Sequence, residues 1–207
     1  MYIFDDAVDE AGEIGFDFRV PEGWSEFDLS SDGLAARREE TLRHLADDPD
    51  RQQAASEVFT TAGHTLDRAT SAGLIAAAGV CDRYEDGYFM ANVTVFSCAV
   101  PPGRHLDPLD MVGHLHPPEH QTPGQTWLRT MLAELPEIGP CGRVIGVAEH
   151  RETDDVALRA VVTHTAVPVP NSGKRLLVSC TSPNIEQVDA VLDLFDAITA
   201  TVRFRRR

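Results

Sequence analysis

Residues 114–120 read HLHPPEH, which sets His114, His116 and His120 beside Glu119, with His105 a short distance upstream. Imidazole and carboxylate donors of this kind suit zinc or another first-row divalent ion. In an extended segment His114 and His116 point the same way. Pro117 and Pro118 exclude both a regular helix and a central strand at that point, so His120 can join them only through irregular backbone. The pattern therefore differs from the helical H-E-x-x-H arrangement, where spacing alone places two ligands on one face. A metal-dependent hydrolase using the His-rich loop at 105–120, with zinc the candidate ion, is one reading. The reading preferred from sequence is a proline-stiffened polar loop without metal, in which His105, His114, His116 and His120 face a protein partner. Prolines limit the freedom lost when such a loop is ordered on binding, and histidines titrate close to neutrality.

Other chemistries have less to build on. No G-x-S-x-G elbow exposes a serine nucleophile. Ser172-Gly173-Lys174 looks like the end of a phosphate loop, but Pro168 stands where its first glycine is required. Gly139, Gly142 and Gly146 do not form a dinucleotide fingerprint. His164 alternates with Val162 and Ala166 and is expected as a hydrogen-bonded core histidine, not a catalytic base. Cys81, Cys98 and Cys180 lie in apolar, strand-like surroundings and read as inert small hydrophobes. Asp47, Asp48 and Asp50 sit at a helix junction, where capping and the helix dipole account for them better than calcium does. No catalytic residue and no cofactor is assigned.

The elements that must position these residues follow from apolar periodicity. Residues 15–20 alternate Phe16, Phe18 and Val20 with Asp17 and Arg19, the mark of a half-buried strand, and Pro21-Glu22-Gly23-Trp24 turns the chain. A helix then begins after Ser31 or Asp32, with Leu34, Leu42 and Leu45 inward. Asp48-Pro49 ends it and caps a second helix, which gathers Ala55, Val58, Phe59, Ala62, Leu66 and Ala69 on one face and stops near Gly73. Residues 74–84 and 88–100 read as strands joined at Glu85-Asp86-Gly87, since an Asp-Gly pair supplies the positive φ of a tight hairpin.

Residues 101–126, rich in proline, glycine and histidine, read as a long loop. A short helix is expected next, with Trp127, Leu128, Met131, Leu132 and Leu135 inward. Strands follow at 144–149, 156–167 and 175–180, separated by turns at 153–155 and 171–173. Ser182-Pro183 opens a last helix with the stripe Val188, Val191, Leu192, Phe195 and Ile198. Short turns between most strands imply a largely antiparallel sheet, and helices grouped in blocks make the class α+β in a single domain over residues 1–207.

Two stretches carry a resemblance. Phe16-Asp17-Phe18-Arg19-Val20-Pro21-Glu22-Gly23-Trp24 resembles the opening strand and turn of PsbP-like domains. Residues 175–183, RLLVSCTSP, followed by Phe195-Asp196-Ala197-Ile198, are similar to that family's last strand, turn and closing helix. The resemblance implies an α/β/α sandwich around an antiparallel sheet, in a family whose members mostly act as binding or assembly factors. It brings no catalytic residue with it.

Composition narrows the partners. The chain has 207 residues, 43% hydrophobic and 25% charged, the profile of a globular domain. A net charge of −15 and a pI near 4.8 repel nucleic-acid phosphates and favour basic protein partners. The basic run Arg203, Arg205, Arg206 and Arg207 is expected to solvate the chain end. No apolar run is long enough to enter and span a bilayer. The acidic start MYIFDDAVDEAGE lacks the character of a secretory signal, so a cytoplasmic location is expected and the Asn92-Val93-Thr94 sequon has no role. The four cysteines contain no C-x-x-C pair and are expected as free thiols. Together these features predict a non-enzymatic cytoplasmic protein-binding or assembly factor.

Overall fold

Most of the buried apolar residues fall in strands that pair antiparallel with their neighbours. A computed structural model describes residues 14–85, 87–100, 107–113, 115–116, 121–153 and 156–206. Nine strands are present among them: β1 (Ile14–Asp17), β2 (Ser25–Glu26), β3 (Leu74–Tyr84), β4 (Gly87–Ala99), β5 (Trp127–Leu135), β6 (Gly139–Thr153), β7 (Val156–Pro168), β8 (Lys174–Ser182) and β9 (Arg203–Arg206). Strands β2 to β8 form one sheet in the order β2-β3-β4-β8-β7-β6-β5, and β1 pairs separately with β9. Every neighbouring pair is antiparallel. The helices are α1 (Ser31–His44), α2 (Pro49–Ser71), α3 (Pro108–Gly113) and α4 (Val188–Thr199). This is the expected α+β class, an antiparallel sheet flanked by helices.

Alternation along the strands gives the sheet two apolar faces. On one, Ala76, Ala78, Val93, Val95, Val161 and Val178 pack against Val191, Phe195 and Ile198 of α4 and against Phe16, Phe18 and Trp24. Removing this surface from water supplies most of the driving force, at roughly 25 cal/mol per Å². Arg143 of β6 pins α4 to this face. Its Nε donates to Thr165 Oγ1 at 2.9 Å, and it forms an ion pair with Asp196. The other face is covered in two parts, by the α1–α2 hairpin over β3 and β4 and by α3 over β5 to β7.

Several expectations need correction. The cap of α1 is Ser30, whose Oγ accepts from Gly33 N at 3.0 Å, so the helix starts one or two residues earlier than expected. Asp48 does cap α2, accepting from Arg51 N at 3.1 Å. Residues 127–135 are strand β5, not a helix. Their apolar positions fit a helical stripe, but all nine residues pair in register with β6, from Trp127 opposite Val147 to Leu135 opposite Gly139. As the last strand of the sheet, β5 keeps apolar side chains on both faces, and Trp127 and Leu132 stay exposed. Tertiary pairing has overridden the local pattern.

The stretch 101–126 is not all loop, because α3 lies within it and buries Val112. Asp107 starts that helix, with its Oδ1 accepting from Leu109 N at 2.9 Å. The C-terminal arginines do not merely solvate the chain end. Arg203, Arg205 and Arg206 belong to β9, where Arg205 pairs with the buried Asp17 and Arg203 lies 3.3 Å from Glu137; Arg207 lies outside the described residues. Asp17, expected on a wet face, is thereby enclosed between β1 and β9.

Candidate functional site: an apolar cleft and a histidine pair

Helices α1 and α2 contain no buried residue. Polar links join them, from Arg38 to Ser56 Oγ at 2.9 Å and from Gln52 Nε2 to the Leu42 carbonyl at 2.9 Å. The hairpin therefore bridges the sheet without closing on it. Beneath it lies a cleft of about 1290 Å³, floored by Leu74, Ala77, Thr94 and Phe96 and roofed by Leu34, Val58, Ala62 and Leu66. Val58 belongs to the expected inward stripe of α2, yet 66% of its surface is exposed. Phe27 closes one end, with its ring over Gly79, where an added Cβ would come within 2.9 Å of Phe27 Cζ.

The rim of the cleft is acidic. Glu26, Asp28, Glu40 and Glu57 line it, against the single cation Arg37, whose guanidinium lies 6.0 Å from the centre of the Phe27 ring. Hydrogen bonds from the Ser30 side chain and backbone N–H hold the Asp28 carboxyl below its usual value, so it stays ionised. The described lining thus joins an apolar wall to an anionic edge, and among the described residues no group of three His, Cys, Asp or Glu is placed to hold a metal ion.

The second feature joins two motifs that are distant in sequence. His116, from the HLHPPEH stretch, packs against His164 of β7 with ring centroids 4.9 Å apart and an interplanar angle of 31°. Gly142 of β6 makes this possible. A Cβ there would stand 1.8 Å from the Pro108 carbonyl oxygen, so only glycine lets α3 settle on the sheet. Gln121 secures the far side through Glu149, accepting from its N–H at 2.9 Å and donating to its carbonyl at 3.3 Å.

The expectation that His164 is hydrogen-bonded needs correction. The residue is 8% exposed, yet neither ring nitrogen has a hydrogen-bond partner among the described residues, and Nε2 of His116 also lacks one. Burial, with His116 adding to it, drives the His164 pKa down to about 3. Burial and then His150 lower that of His116. Both rings are neutral at physiological pH.

The other residues singled out from sequence scatter. His105, His114, Glu119 and His120 lie outside the described residues, and His116 is half-buried, not an exposed loop residue. All four cysteines are free. Cys81 is exposed, against expectation, because it lies on the helix-free end of β3. Ser172 and Lys174 belong to a hairpin turn, with Asn171 at φ 54° and Ser172 Oγ accepting from Lys174 N at 3.2 Å. Sequence reasoning treated the cleft residues as core. The available signal was α1 itself, whose apolar stripe of Leu34, Leu42 and Leu45 is too thin to fill a helix–sheet interface.

No family model and no curated protein matches the chain. Among solved structures, it is similar in outline to LpqN, described as involved in cell envelope biogenesis of Mycobacterium tuberculosis. The TM-score is 0.47 at 10% identity, covering 92% of this chain and 83% of that one. At that score the likeness carries no argument about function.

Proposed function

We propose that this protein is a non-enzymatic binding or assembly factor that takes up an amphipathic, cationic segment of a partner protein in the cleft beneath α1 and α2. The cleft itself carries this reading. Its volume of about 1290 Å³ exceeds the roughly 300–1,000 Å³ of small-molecule pockets. A space of that size admits a short stretch of helix, about 10–12 Å across with its side chains. Apolar walls receive the apolar face of such a segment, and the four rim carboxylates match basic residues on its other face. The net charge of −15 steers a cationic partner toward the protein. The resemblance of the chain's two ends to PsbP-like domains supports the same class of function. Four unpaired thiols support a reducing compartment, which we take to be the cytoplasm.

The test is calorimetric titration with two peptides of identical Leu/Lys composition, one patterned as an amphipathic helix and one scrambled. A third, patterned with Leu/Glu, serves as the charge control. The patterned Leu/Lys peptide should bind at least ten times more tightly than either control. Val58→Asp, at an exposed cleft position, should remove that preference while leaving the melting temperature within about 1 °C of wild type. Equal binding of patterned and scrambled cationic peptides, or an unaffected Val58→Asp variant, would refute the assignment.

A further inference from the structure

Buried polar atoms without partners are uncommon in folded proteins, and each demands an explanation. Three of them meet at one place: Nε2 of His116 and both ring nitrogens of His164. His116 also lines a pocket of about 400 Å³ together with Gln121, Thr126 and Thr130. Nothing in the cleft beneath the helical hairpin uses them.

We infer that His116 and His164 together bind a first-row divalent transition-metal ion, with zinc the best match. Geometry is the first support. Two imidazoles bonded to one tetrahedral ion at about 2.0–2.1 Å have ring centres roughly 5 Å apart, and the observed separation is 4.9 Å. Preorganisation is the second. Strand β7 fixes His164 between β6 and β8, and His116 closely follows α3, which is seated on Gly142.

Among the described residues no group of three His, Cys, Asp or Glu is arranged around one ion. His116 also lines the 400 Å³ pocket, a source of water for the remaining coordination positions. A site with two protein ligands is weaker than a structural four-ligand site. Its effect is to staple the segment after α3 onto the sheet. HLHPPEH by itself does not contain the second ligand, which β7 supplies from far along the chain as His164.

The experiment uses untagged full-length protein stripped with chelator and titrated with Co2+, followed by visible absorption, and with Zn2+, followed by calorimetry. One equivalent should bind saturably, with a cobalt d–d spectrum and a rise in melting temperature. His164→Phe, which suits an apolar site, and His116→Gln should each weaken binding at least tenfold and bleach the spectrum. Absence of saturable binding to the wild type would overturn the inference. So would stoichiometric binding retained in both variants, since the ion would then be held elsewhere. If His164→Phe does not fold, His116→Gln alone decides between these outcomes.

Discussion

Replacing Phe195 by alanine tests whether the last helix belongs to the core. Phe195 has no exposed surface, and it meets the sheet among Val191, Ile198 and Val178. Truncating a buried phenylalanine loses its transfer free energy and leaves a cavity, together about 3–5 kcal/mol. That is a large share of the roughly 5–15 kcal/mol that holds a domain folded. For 207 residues, an unfolding entropy of about 2.1 cal/mol/K per residue gives about 0.4 kcal/mol/K. The expected fall in melting temperature is then about 7–12 °C. Asp193, two positions earlier on the exposed face, is the control, and Asp193→Ala should move the transition by no more than about 1 °C. Thermal unfolding followed by circular dichroism measures both. Small, equal shifts would mean that α4 can leave without unfolding the sheet, and the helix would then be no part of the core.

Two further outcomes follow from the same packing. At pH 8 a chromogenic disulfide reagent should modify Cys81 of the native protein rapidly and Cys98 more slowly. Cys141 and Cys180 should react only after unfolding, because burial pushes their thiols up to about 11 and about 12 and leaves almost no thiolate to attack. All four should react in denaturant, and fewer than four would contradict the free-thiol assignment. Gly142→Ala should cost about 1–3 kcal/mol by overpacking, because α3 must lift from β6. It should also weaken Co2+ binding, while Gly173→Ala, which meets nothing within 4 Å, should do neither; an unchanged Gly142→Ala protein would remove the argument for α3 seating.

Elements whose signals are local could be read along the chain. The Asp86-Gly87 pair pointed to the β3–β4 hairpin, Asp48-Pro49 divided the two helices, and the stripe from Val188 to Ile198 marked the face of α4. Each depends on φ preferences, capping or periodicity, which act over a few residues. The remaining features came from long-range packing. Residues 127–135 became a strand because β6 offered a nine-residue ladder, a gain that no helical spacing reveals. Arg203, Arg205 and Arg206 became part of β9 by pairing with β1, nearly the whole chain away, where Arg205 meets Asp17. The cleft exists because the α1 stripe of Leu34, Leu42 and Leu45 is too narrow to seal the hairpin on the sheet, and only the packed fold shows the space this leaves. His116 and His164 meet because a missing side chain at Gly142 admits α3. That juxtaposition depends on closing a loop between residues 48 positions apart, and side-chain contacts at such separation are set by packing, not by pattern.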